Sequence, residues 1–392
     1  MSQTNRLFSR SFVALSAIQF LAFCNVAVFF PFYSYLRTLP IDPHWLGFLI
    51  GAYSLSAVAV RPVISPLLHL GNARRWMFFS SIGFIGALPL YSLADGFWTM
   101  LAVRTLHGAF HAGLVSAMLA MVVAFIPKEK SGQAFALLSV NTLLPYAIIP
   151  PMLGPLQHML GGYEHVLTAG AVVMLLCFPL LLLVQIPVQD AGAAGDCHQR
   201  MTMADISENL RNSKLVTLLI ITILLYSSFT PVFFFIKGYG DSIDIKTPGL
   251  FFTVATLTMI GLRVGVGGLF DRFNKVLLMA LSLAWLIVGY TALAFAFGPV
   301  SFYILAGALG LGWGVGMPVL NAMIFECSEP RFSGLNINLA QEALQTGFLL
   351  GPLVAGWIIA GSDYRTLFYM CSLFCFVALA LAPLTLVGSK SK

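Results

Sequence analysis

Twelve predominantly apolar stretches fill most of this 392-residue chain, at roughly 11–36, 44–65, 75–93, 98–126, 133–156, 165–186, 214–237, 248–268, 275–297, 300–326, 335–360 and 365–387. A helix needs about 20 such residues to cross the hydrocarbon of a bilayer. Lipid offers the backbone no hydrogen-bond partners, so a crossing segment is either a helix or a strand of a closed barrel. These runs lack the period-2 alternation of barrel strands, which leaves helices. Composition agrees: 9% of residues are charged and mean hydropathy is +0.89, against about 25% charged in soluble domains. The pattern predicts an all-α membrane protein with 12 transmembrane helices. The first span has no convincing small-residue cleavage site and reads as a retained helix.

Twelve is even, so both termini lie on one side. With that side inward, sixteen Lys and Arg residues fall in inner loops or at inner helix ends, including Arg61, Arg74, Arg75, Arg263, Arg272 and Lys275. Four (Arg37, Lys237, Lys246 and Arg365) fall outside, and Arg104 lies in the membrane. Basic loops stay in the cytoplasm, so N- and C-termini are expected to be cytoplasmic. The sequence pI near 9.0 therefore reports topology, and nucleic acid is not an expected partner. No metal-ligand spacing or Walker loop occurs, so no cofactor is implied and ATP-driven pumping on this chain is excluded.

Three residues recur at a constant offset of 202: Gly47 as Gly249, Arg61 as Arg263, and Gly108 as Gly310. The longest polar stretch, 187–213, separates the first six spans from the last six. The expected organisation is two pseudo-symmetric six-helix bundles, 1–186 and 214–392, joined by the cytoplasmic linker 187–213. Thr202–Asn212 has the spacing of a short surface helix with Met203, Ile206 and Leu210 on one side. The linker otherwise reads as a tether.

After the eighth span the chain reads Gly267-Gly-Leu269-Phe-Asp271-Arg272-Phe-Asn274-Lys275. This resembles the G-x-L-x-D-R-x-G-R-R loop of the major facilitator superfamily. A degraded copy follows the second span, with His69 in place of the aspartate. Arg104-Thr-Leu-His-Gly108 is similar to the family's R-x-x-x-G element, and Gly154-Pro155 with Gly161-Gly162 to an antiporter-associated element. The resemblance covers essentially the whole chain. It implies two halves that rock about a solute site near the midplane, lined by spans one, four, seven and ten. It also implies gating groups at the inner face: Arg61, Arg263, Gly267, Asp271, Arg272 and Glu326. Asp271 would face the N-terminus of the fifth span, and Arg272 and Lys275 would meet Glu326 or Glu329.

Ionisable groups at membrane depth are functional candidates by default. Arg104, His107 and His111 share one face of the fourth span. They can serve an anionic solute or a proton, or they can be packing residues with Arg104 tied to backbone carbonyls. Glu342 in the eleventh span is either a proton-coupling carboxyl or the partner of Arg61 or Arg263 in a salt bridge. Gln19, Asn25, Tyr226, Trp313 and Asn321 lie on the spans that line the cavity in the resembling family. They are further solute or proton-path candidates, or helix-to-helix glue. The glycines of the tenth span, Gly307 to Gly316, suggest a rocking contact or static close packing.

The leading expectation is a monomeric secondary transporter in a bacterial cytoplasmic membrane. It would move a small organic solute, coupled to protons, in the efflux direction. Arg104 with Gly108 and the Gly154-Pro155 element favour efflux by resemblance. The first span lacks the carboxylate that several drug–proton antiporters of the family carry. Uptake of a small organic anion, a non-transporting sensor, and a membrane enzyme are the alternatives. No nucleophile–base pair or paired carboxylates support the enzyme.

Overall fold

The computed structural model describes residues 8–126, 130–185, 203–265 and 273–389. All regular structure in it is helical. The first bundle contains α1 (Arg10–Ala27), α2 (Phe32–Leu36), α3 (Pro43–Ile64), α4 (Leu70–Leu90), α5 (Phe97–Ala124), α6 (Ser131–Leu160), α7 (Tyr163–Met174) and α8 (Cys177–Leu183). Here α1 and α2 form the first span, and α7 and α8 the sixth. A short helix α9 (Met203–Asn209) precedes the second bundle. That bundle contains α10 (Ser213–Ser242), α11 (Leu250–Gly265), α12 (Lys275–Leu293), α13 (Gly298–Glu326), α14 (Ser333–Gly361) and α15 (Tyr364–Leu381). Among the described residues, eleven helices are long and apolar enough to cross a membrane. The twelfth, α11, is described for 16 residues and stops where 266–272 leave the described part. Gly267, Asp271 and Arg272 of the loop motif therefore lie outside the described residues.

Helix ends follow their local chemistry. Asp42, Asn212, Asn274 and Asp363 each cap a helix by accepting a backbone N–H, from His44 (2.9 Å), Leu215 (3.2 Å), Val276 (2.9 Å) and Thr366 (2.9 Å). Bonds to the backbone and side chain of Thr366 hold the Asp363 carboxyl below the usual carboxylate range. α6 contains four prolines and ends at Gly161, whose φ of 81° is a left-handed cap. This is the structural content of the Gly161-Gly162 pair.

The side bearing Arg74, Arg75, Lys214 and Lys275 is termed inner, following the charge asymmetry. The bundles meet along two seams, α3 against α14 and α6 against α11, and α2 also packs on α10. The repeated glycines explain both seams. A methyl group on Gly47 would collide with the Pro352 carbonyl of α14, and one on Gly249 with the Pro150 carbonyl of α6. Both crossings lie toward the outer ends. Gly108 and Gly310 do the equivalent inside the bundles. Gly108 lies against the Tyr53 carbonyl of α3, and Gly310 against the Ala255 carbonyl of α11. Only a residue without Cβ allows backbones to approach this closely.

Aromatic rings complete the outer closure. Tyr33 and Phe235 have ring centroids 4.2 Å apart, and Phe30 lies 5.9 Å from both Phe233 and Phe252. The glycines of the tenth span take the static alternative rather than the rocking one. Gly310 and Gly314 face α11, and Gly312 and Gly316 face α12, all within the second bundle.

The segment before α10 also departs from expectation. α9 is seven residues long, and the group it buries is polar. Asn209 is 6% exposed and donates a 2.6 Å hydrogen bond to Asn336 Oδ1 of α14, while Leu210 stays 41% exposed. Glu208 pairs with Arg331 and Asn212 Nδ2 reaches the Cys327 carbonyl at 3.4 Å. The helix docks on the inner end of the second bundle through these polar contacts.

Candidate functional site

Ionisable groups at depth gather in two places, the core of the first bundle and the seams. In the core, Arg104 of α5 is 2% exposed. It donates to the carbonyls of Leu49 (Nε, 3.2 Å) and Ile50 (Nη2, 2.8 Å) of α3 and to the Tyr91 hydroxyl (Nη1, 3.3 Å). Its guanidinium carbon also lies 4.6 Å from the ring centroid of Phe32, 4.9 Å from Tyr53 and 5.0 Å from Phe29. The guanidinium is thus bound to backbone carbonyls and aromatic faces, as one of the two sequence alternatives had it.

One turn on, His107 Nδ1 is 3.1 Å from the Tyr91 hydroxyl. His107 and His111 both pack on Phe84 (centroids 4.8 and 5.3 Å) and Tyr53 (5.1 and 5.2 Å). His107 Nε2, both nitrogens of His111 and the Tyr53 hydroxyl have no hydrogen-bond partner among the described residues. Each unmet buried polar group costs about 1–3 kcal/mol, so this polar cluster is held at a price in stability.

The repeated arginines meet the opposite bundle. Arg61 of α3, 5% exposed, places Nη1 3.6 Å from Glu342 Oε1 of α14. Neither Glu342 oxygen accepts a hydrogen bond from the described residues, so the pair is held by charge alone. One turn of α14 further on, Ser54 Oγ donates to Gln345 Oε1 at 3.4 Å. On the other seam, Arg263 of α11 donates to the Ser139 hydroxyl of α6. Toward the outer end of the same seam, Thr253 donates to the Ala147 carbonyl at 2.7 Å. Ser139 and Glu342 lie eight and nine residues into their helices, which at 1.5 Å per residue is about 12–14 Å from the inner helix ends.

The remaining candidates separate. Gln19 Oε1 accepts from Asn141 Nδ2 at 3.2 Å, joining α1 to α6. Tyr226 packs on Phe348 (5.9 Å). Asn25 is buried and its amide points at the Met174 sulfur, 3.0 Å away, inside the first bundle. Trp313 is fully buried in the second bundle, where its Nε1 donates to Tyr290 (2.9 Å), which donates to Ser228 (3.1 Å). Asn321 is exposed near the inner end of α13. Glu326 pairs with Lys275 at 2.8 Å, the partner expected for it. Sequence reading missed Tyr53, Tyr91, Ser139 and Asn141. Only Tyr53 shares a helix with a candidate site residue, Arg61 of α3; the others lie on different helices from the groups they meet, so no local spacing marks them.

Two helical bundles, packed along two seams that carry charge at membrane depth, define a multi-pass integral membrane transporter for a small solute, not an enzyme. The chain belongs to the Major Facilitator Superfamily, whose family model matches residues 15–299 and 218–392, and is a secondary transporter. It is 24% identical over 366 residues to the multidrug resistance protein MdtG of Escherichia coli O9:H4 (strain HS), covering 88% of this chain and 86% of that one. The fold matches a bacterial homolog of the human lysosomal transporter Spinster in an inward-facing, unoccupied conformation. There the TM-score is 0.77 at 13% identity, over 97% of each chain. It also matches the nucleoside transporter NupG, with TM-score 0.71 at 16% identity, over 97% of this chain and 99% of that one.

Proposed function

We propose that the protein is a proton-coupled exporter of a small organic solute, with Glu342 as the proton-carrying group. The observation that carries this reading is the Arg61–Glu342 pair across the α3–α14 seam. At 3.6 Å and an effective dielectric of 20, two unit charges attract by about 4–5 kcal/mol, against which their desolvation must be set. Protonation of Glu342 removes that attraction in one step and leaves α3 and α14 free to part. Removal of the proton restores the closed seam. The cluster of Arg104, His107 and His111 on α5, with Tyr91 at the end of α4, lies directly behind α3, where a change in Tyr53 contacts is felt.

Residues 1–186 and 214–392 act as the rocking halves, with 187–213 as their tether. The relationship to MdtG favours export and a bacterial cytoplasmic membrane. The monomer is the transporting unit. The test uses proteoliposomes loaded with a pH-reporting dye and a panel of organic solutes. A transported solute should evoke proton movement with the native chain. Glu342→Gln should retain solute exchange and lose gradient-driven accumulation. Flux indifferent to an imposed pH gradient would sink the proposal.

A further inference from the structure

The two seams are related by the repeat but differ in chemistry. Residue 139 shifted by 202 is Gln341, the neighbour of Glu342, so Arg61 and Arg263 point at corresponding places on opposite bundles. Arg61 finds a carboxylate there and Arg263 finds a hydroxyl. Among the described residues, the Lys, Arg, Asp and Glu side chains placed at depth in the spans are three arginines (Arg61, Arg104, Arg263) and one glutamate, Glu342, beside the histidines His107 and His111. Arg104 is bound by two carbonyls, a phenol and aromatic faces. Arg61 has Glu342. Arg263 has one neutral oxygen, and its Nε has no partner among the described residues. A guanidinium stays charged at any accessible pH and presents a fork of N–H donors that fits carboxylate, sulfonate or phosphonate oxygens two at a time. Arg263 as a whole is half-buried, but its Nε is enclosed without a partner among the described residues, and the desolvation of that donor is uncompensated.

We infer that Arg263 is the receptor for an anionic group on the transported solute, and that the Ser139 hydroxyl holds its place in the ligand-free seam. The wall around the site supplies the rest of the solute's chemistry. Tyr226 lies within electrostatic reach of Arg263. Its ring packs on Phe348 at 5.9 Å, and Phe348 lies 6.2 Å from Phe229. The solute is therefore an organic anion with an aromatic or apolar body. Proton and solute are divided between the seams: Glu342 carries one at α3–α14, and Arg263 holds the other at α6–α11. The inference rests on the reading of the seams as the transport path.

The experiment measures thermal stabilisation of the purified full-length protein in detergent. The probes share a benzene ring and differ in charge: benzoate, benzenesulfonate and phenylphosphonate against benzyltrimethylammonium and neutral benzyl alcohol, at matched ionic strength. Each is titrated to about 10 mM, a range that captures millimolar Kd values. At least one anion should raise Tm saturably, and the cation and alcohol should not. Arg263→Gln should weaken the anion at least about tenfold, as expected for loss of a charge-assisted bond. Arg263→Lys should retain part of the effect, and Ser139→Ala should bind at least as tightly as the native chain. Preference for the cation or alcohol, no saturable response to any anion, or an anion response that survives Arg263→Gln overturns the inference. If Arg263→Gln does not fold, weaker anion binding in Arg263→Lys with unimpaired binding in Ser139→Ala supports it, and any other pattern in those two overturns it. Binding in detergent needs no gradient, so its failure is distinct from a failure of proton coupling in Glu342→Gln.

Discussion

Gly356→Ala should shift the transporter toward a state open on its outer side. Gly356 of α14 faces Gly47 of α3, and a methyl group there would sit 2.6 Å from both Cα and N of Gly47. Non-bonded carbon atoms settle at about 3.5–4.0 Å, so the two helices must separate by about 1 Å at this level. The obstacle is backbone, so no side-chain rotation relieves it. Overpacking of this kind costs about 1–3 kcal/mol. The cost falls only on the state in which the outer ends are closed, so the closed-to-open ratio should fall by about 5- to 150-fold. The assay introduces Tyr33→Cys, at a ring that rests on Phe235 at 4.2 Å in the outer closure. The rate of labelling by a membrane-impermeant maleimide is then compared with and without Gly356→Ala. Gly361→Ala, in the last turn of the same helix, is the control, because a methyl group there meets nothing within 4 Å. Equal labelling rates in a folded Gly356→Ala protein would refute the claim that this crossing closes the outer side.

Three other outcomes follow from contacts in the same structure. Arg104→Gln removes the brace between α5 and α3 and should lower stability by about 1.5–3 kcal/mol; Arg104→Lys should not restore it, because an ammonium lacks the planar fork, and thermal unfolding measures both. Asn209→Ala removes the 2.6 Å bond to Asn336 and should weaken α9 docking by about 1–3 kcal/mol, read as faster tryptic cleavage at Arg211. Asp363→Ala should lower Tm at neutral pH. Because the Asp363 carboxyl titrates below its ordinary value, its contribution is present above the unfolded-state pKa and lost as pH falls through the folded one. The difference from the native chain should therefore shrink in acid, and its persistence there would contradict the capping role.

The helices are legible in the sequence because lipid imposes a local rule that each span obeys by itself. Gly47 and Gly249 were also legible as repeats, since a close crossing needs glycine wherever the copy lies. What local pattern does not hold is the direction a side chain takes between helices. Arg61 and Arg263 read both as topology-setting charges and as alternative partners for Glu342, and the sequence does not say that Arg61 meets that carboxylate while Arg263 meets Ser139. Trp313 reads as a cavity residue by its place on the tenth span, but a 2.9 Å bond to Tyr290 takes it into the bundle interior. Arg104 left two readings open, and the carbonyls that anchor it, those of Leu49 and Ile50, lie more than fifty residues away in the chain. Glu342 left its partner open for the same reason.

Three arginines and one glutamate at depth leave the spans with two positive charges that no described acidic group at depth balances. In the rocking motion proposed above, the helices that carry them move within the electric field of an energised membrane. An elementary charge carried through the whole field is worth about 2.3 kcal/mol per 100 mV. Two charges displaced through about a tenth of it gain or lose about 0.5 kcal/mol per 100 mV, close to a twofold change in the populations of the two states. The protein is in this sense a weak voltmeter, and its resting conformation should differ between an energised cell and a depolarised vesicle even with no solute present.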